Sequence, residues 1–163
     1  MTEAVVGKTA SAEWPELQAR LATARARWDA ATLNLNGDEP VGEWSVLQAH
    51  SHVAESLLRY ADVLACVAVS RKAVSREGRA EFPSQFLPGK HPYARVKQIG
   101  EKGWRDFQGA AMTVAKQPDR GAVIATAEIP IDARDFTERA LTHLEEHVDQ
   151  VGRAYALEQP ASS

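Results

Sequence analysis

His143 and His147 stand four residues apart in the stretch LTHLEEHVDQV over 141–151. Four residues span slightly more than one helical turn, so in a helix both imidazoles leave the same face about 6 Å apart. Two such donors grip a single metal ion when a third arrives from another element. Phe136, Ala140, His143, Leu144, His147, Val151 and Ala154 form one helical face, while Glu138, Glu145, Glu146, Asp149 and Arg153 form the other. Both histidines therefore point inward. Burying two imidazoles side by side costs desolvation unless each finds a partner. A divalent cation bound to both removes that cost and fixes which ring nitrogen keeps its proton.

The third donor belongs to a second histidine-bearing segment, around His50 and His52. At about 100° per residue His50 lines up with Val46, Val53 and Leu57, whereas His52 lies roughly 160° away. Simple periodicity favours His50. His52, however, shares its stripe with Ser45 and Ser56, which leave open space beside an imidazole. A helix touching two neighbours also has an inward arc wider than its apolar stripe. Spacing leaves both residues open.

Three neutral imidazoles leave a divalent ion with exchangeable positions, the pattern of reactive rather than structural sites. Zinc suits the ligand type best and nickel is compatible. Such an ion lowers the pKa of bound water to about 7, or holds a thiolate directly. Glu55 and Glu146 lie near the ligands in sequence as candidate base or hydrogen-bond acceptor, with Glu146 toward the charged face. Cys66 is 14 residues beyond His52, roughly 21 Å along a helix, and reads as a small buried residue. Arg71, Lys72, Arg76 and Arg79 read as a solvated helix end rather than an anion site. Trp44 and Trp104 read as packing anchors, and His91 as a remote candidate for the site. No phosphate-cradling glycine loop, CxxC pair or Ser/Cys nucleophile motif is present.

The elements that must position these residues are helical. Leu17, Leu21, Ala24, Trp28, Ala31 and Leu35 mark a first helix over about 15–35, with Pro15 in its first turn and Gly37 as a left-handed cap. Ser45 and Gln48 form a capping box for the second, whose buried stripe is Val46, Val53, Leu57, Ala61, Leu64 and Ala68. That helix is expected to fail in the polar stretch 70–79. Trp104, Phe107, Ala111 and Ala115 mark a third, stopped before Pro118, and a fourth runs from Asp132 or Asp135 to Ala156. Residues 122–129 are apolar and partly β-branched, so an extended stretch is expected there. Four amphipathic helices with almost no alternating pattern predict an all-α four-helix bundle. The connection over 71–100, with Pro83, Pro88, Gly89 and Pro92, is long for an unstructured link and suits an end-to-end crossover between helices 2 and 3.

At 163 residues and net charge −3, with 44% hydrophobic and 25% charged residues, the chain fits one globular domain with a real core. The acidic balance argues against nucleic acid as a partner. A single cysteine allows no internal disulfide, which suits a reducing cytoplasm. No apolar run approaches the roughly 20 residues of a membrane span, and the N-terminus lacks signal-peptide order.

The segment WSVLQAHSHVAE over 44–55 resembles the opening motif of the DinB-like superfamily, metal-binding four-helix bundles that include the YfiT-type proteins. Those carry a tryptophan and a hydroxyl residue at a helix start, then a histidine eight positions after the tryptophan. Eight beyond Trp44 is His52. The second half of the pattern, a histidine, three residues, another histidine and often a glutamine, resembles His143, His147 and Gln150. The resemblance spans nearly the whole chain in length, helix order and long crossover. It implies one DinB-like domain over 1–163, with a core of about 12–157 between flexible termini. It implies metal ligation by His52, His143 and His147, and leaves His50, where the family usually has an apolar residue, as a core or supporting histidine. It also implies a metal-dependent transferase or hydrolase acting on a small molecule, in some branches with low-molecular-weight thiols such as mycothiol or bacillithiol, and a homodimer. The competing expectation is a non-catalytic, stress-related bundle whose metal is structural or vestigial.

Overall fold

The computed structural model describes residues 12–70, 74–75, 91–117, 123–124 and 130–158. Four helices dominate it: α1 (Trp14–Thr32), α2 (Val46–Val69), α3 (Tyr93–Ala115) and α4 (Ala133–Glu158). Between them lie two-residue strands: β1 (Pro40–Val41), β2 (Trp44–Ser45), β3 (Val74–Ser75), β4 (Val123–Ile124) and β5 (Pro130–Ile131). β1 and β2 form an antiparallel hairpin, while β4 pairs parallel with β3 and antiparallel with β5. The fold is all-α in substance. None of the described helices is long and apolar enough to cross a membrane.

Local chemistry explains the helix ends. Pro15 occupies the first turn of α1, where its missing N–H costs nothing. Ser45 Oγ accepts from the Gln48 amide at 3.2 Å, and Gln48 Oε1 accepts from the Ser45 amide at 2.7 Å. This is the reciprocal capping box expected at the start of α2. α2 stops at Val69, so the expected end near Ser70 stands. α4 begins after Asp132, whose carboxylate accepts from the Arg134 amide at 2.6 Å, while Asp135 lies buried inside the first turn.

Three expectations need adjustment. α1 ends at Thr32, and Leu35, although buried, belongs to the following loop. Gly37, at φ 104°, is therefore a turn residue rather than the cap of α1. α3 starts at Tyr93, so the connection before it is shorter than 71–100 suggested. Of the stretch 122–129, Val123 and Ile124 are strand and the remainder lies outside the described residues. Also outside them are Arg71, Lys72, Arg76, Arg79, Pro83, Pro88 and Gly89.

The packing order can be traced from paired residues. Arg134 meets Glu13, Arg20 meets Glu138 and Glu145, and Arg27 meets Asp149, so α1 and α4 run in the same direction. Glu138 and Glu145 thus face α1 rather than solvent alone. Gly100 lies against His50, Gly103 against Leu57 and Gln117 against Ala68, so α2 and α3 are also parallel. Tyr60 touches Phe136 while His52 touches His147, which makes α2 and α4 antiparallel. Trp28, Trp104, Phe107, Leu57, Leu64, Leu141 and Leu144 fill the centre, each under 2% exposed and each stabilising by roughly 1.5–3 kcal/mol. Gly103 permits the close α2–α3 approach: a Cβ there would lie 2.8 Å from Leu57 Cβ.

Candidate metal centre

The three histidines come from two antiparallel helices and meet near one end of the bundle. α4 carries His143 and His147 one turn apart, on the side facing α2. α2 carries His52 in its second turn, held in place by the capping box below it and by the hairpin that leads into it. The three Nε2 atoms point at one another: His52 Nε2 is 3.2 Å from His143 Nε2, and His147 Nε2 is 3.1 Å from the same atom. All three donor atoms lie within 4.8 Å of one another, and all three residues are half-buried. This group could hold a metal ion.

The opposite ring nitrogens of His143 and His147 are also engaged. His147 Nδ1–H donates to Gln150 Oε1 at 2.9 Å, because an amide oxygen only accepts. A neutral His147 therefore presents a bare Nε2 to the cluster. His143 Nδ1 is 2.8 Å from the hydroxyl of Tyr60, which can donate or accept. Protons alone fill this arrangement incompletely. A chain from Tyr60 through His143 and His147 to Gln150 is satisfied if His143 Nε2 carries a proton. That one proton points to His147 or to His52, and cannot serve both fully.

A divalent cation serves all three lone pairs at once. Its donors then stand about 3.3 Å apart, the edge of a tetrahedron with Zn–N bonds of about 2.0–2.1 Å. The two separations at His143, 3.1 and 3.2 Å, are close to that edge, and the third, between His52 and His147, is within 4.8 Å. Burial, reinforced by His147 and His143 and only partly offset by Glu55, pushes the His52 pKa down to about 4. The ring is neutral at ordinary pH, as a metal ligand must be. The donor set fits a divalent ion.

The contest between His50 and His52 is decided by which neighbour each side chain meets. His50 is 3% exposed and points toward α1 and α3. It packs edge-on against Trp28 at 4.8 Å, and its Nδ1 is 3.2 Å from the Tyr93 hydroxyl. A Cβ on Gly100 would lie 2.7 Å from His50 Nε2, leaving no room there for another ligand. Burial, with Lys97 nearby, pushes its pKa down to about 3. His50 is a core histidine, and the structure brings His52 to the pair instead.

Among the described residues, His91 is not part of the group, and Cys66 lies near Asp62 on the flank of α2. Glu146 is exposed, whereas Glu55 is mostly covered, approaches Arg59 at 4.0 Å and acts electrostatically on His52. Trp104 is the packing anchor expected of it, at 1% exposure. Trp44 is not. It is 39% exposed and lies over the histidines, stacked on His147 at 6.0 Å and 13° and edge-on to His52 at 5.5 Å. Tyr60 also went unforeseen: its sequence signal is a tyrosine two helical turns past His52, on an otherwise apolar stripe.

Comparison with protein-family models, curated proteins and solved structures finds no match to this chain. The DinB-like resemblance stands on its motif residues alone.

Proposed function

We propose that this chain is a DinB-like divalent-metal protein in which His52, His143 and His147 are the ligands of a reactive centre, zinc or nickel being the ion. The reading that fits best is a metal-dependent transferase or hydrolase, with a low-molecular-weight thiol as one partner. One observation carries it: Nε2 atoms from two helices converge, His143 Nε2 lying 3.2 Å from that of His52 and 3.1 Å from that of His147, while Gln150 and Tyr60 engage the outer nitrogens of His147 and His143. Parallel pairing of α2 and α3 is compatible with the crossover expected from the DinB-like likeness. A homodimer is the assembly this likeness suggests.

Each protein group has a role in this reading. Gln150 fixes the His147 tautomer, and Tyr60 accepts from His143 Nδ1–H once the Nε2 lone pair is engaged. An ion held by His52, His143 and His147 would supply positive charge that favours the deprotonated form of a bound water or thiol. Glu55, the carboxylate that acts on the charge of His52, is the candidate in this reading to take that proton; Glu146 is exposed. The test is mass-spectrometric detection of products from zinc- or nickel-loaded protein given mycothiol or bacillithiol and a panel of electrophiles. Turnover that disappears in His147→Ala and falls sharply in Glu55→Gln supports the assignment. Absence of any metal-dependent product across thiols and hydrolysable esters contradicts it.

A further inference from the structure

The three-histidine centre is enclosed unevenly. Toward the bundle interior, His143 is backed by Tyr60, which is 9% exposed and packs on Phe136 and Phe107. Toward the bundle end, His52 and His147 are bordered by Trp44, at 39% exposure the largest aromatic surface open to solvent among the described residues. The other described tryptophans, Trp14, Trp28 and Trp104, are 8%, 1% and 1% exposed. An indole left this open forfeits apolar burial that a core position would supply.

Its position is firmly set. Trp44 pairs with Val41 in the hairpin, and Ser45 beside it caps α2. The ring plane is held within 13° of His147. A rigid, solvent-open indole next to converging metal ligands is a platform for a flat group.

We infer that Trp44 is the ligand-binding wall of this centre, and that its small-molecule ligand carries an aromatic or heteroaromatic ring close to the group that reaches the metal. This rests on the metal reading above and adds the chemical class of the ligand to it. The ring stacks on Trp44 while the polar head occupies the side of the centre left by the three imidazoles. Aliphatic ligands with the same head lose that contact.

The test uses the full chain loaded with zinc and two hydroxamates, acetohydroxamate and benzohydroxamate, with dissociation constants measured by calorimetry. Benzohydroxamate is expected to bind about two- to tenfold more tightly, the range of an aromatic pair. Trp44→Ala is expected to erase that preference and Trp44→Phe to keep most of it, the ratio being taken between the two hydroxamates on the same zinc-loaded variant so that any change in the centre itself affects both alike. A readout without substitution uses 5-fluorotryptophan-labelled protein. The resonance of exposed Trp44 should move with benzohydroxamate and hardly at all with acetohydroxamate. Equal affinities in the unaltered protein, a preference surviving in Trp44→Ala, or an unmoved Trp44 resonance overturns the platform while leaving the metal centre standing. Failure to bind zinc at all overturns the metal reading and this inference together.

Discussion

Gln150 does at the residue scale what His147 cannot do for itself, which is to fix where the ring proton sits, and Tyr60 engages the outer nitrogen of His143 as donor or acceptor. Removing an outer-shell partner of a metal-bound histidine typically costs ten- to a hundredfold in metal affinity. Gln150→Ala and Tyr60→Phe are each expected to weaken zinc binding by about that factor, measured by competition with a chromophoric chelator. The His143 and His147 pair was legible in the sequence because one helix fixes both side chains. The choice between His50 and His52 was not, because periodicity ranks residues by a single buried face. α2 has two: one toward α3, which takes His50, and one toward α4, which takes His52. Trp44 was misjudged for a related reason. A tryptophan beside a helix cap is a good packing candidate, and only the hairpin geometry shows its indole turned over the histidines.

The elements hold the site through two local devices. The capping box sets where α2 starts, and so where His52 stands two turns in. Ser45→Ala is expected to destabilise the fold by about 1 kcal/mol, read from urea unfolding midpoints. The second device is the close α2–α3 contact. A methyl at position 103 would stand 2.8 Å from Leu57 Cβ, a separation that forces one helix to shift. Gly103→Ala is expected to cost about 1–3 kcal/mol by overpacking. The capping box was readable because its residues are three apart. The α1 boundary was overextended because Leu35 is buried like a helical residue while lying beyond the last turn: burial marks the core, not the helix.

For the whole molecule, the helix count and class followed from amphipathic spacing, but the order of packing did not. Connection lengths alone do not say that α1 pairs with α4 and α2 with α3, each in parallel; the ion pairs and glycine contacts do. Buried His50 and half-buried His52 also give the folded chain a defined response to acid. His50 and His52 have folded pKa values of about 3 and about 4, below the ordinary 6.5. Below pH 6.5 the unfolded chain binds protons that the folded chain refuses. Stability is thus fully present above that pH and is lost as pH falls toward the folded values. Metal-free protein should show a melting temperature that declines from pH 7 to 4, with a shallower decline in His50→Gln. An equal slope in that variant would assign the acid sensitivity to other groups. If the proposed centre binds zinc, zinc added at pH 7 should raise the melting temperature, since the three imidazoles converge only in the folded chain.

The most direct measurement is elemental analysis of protein purified without a histidine tag, for the unaltered chain, His50→Ala and His52→Ala. About one equivalent of a divalent transition metal is predicted in the first two, and little in the third, as three imidazole donors require. Metal retained in His52→Ala, or none in the unaltered chain even after zinc loading and dialysis, would contradict the account.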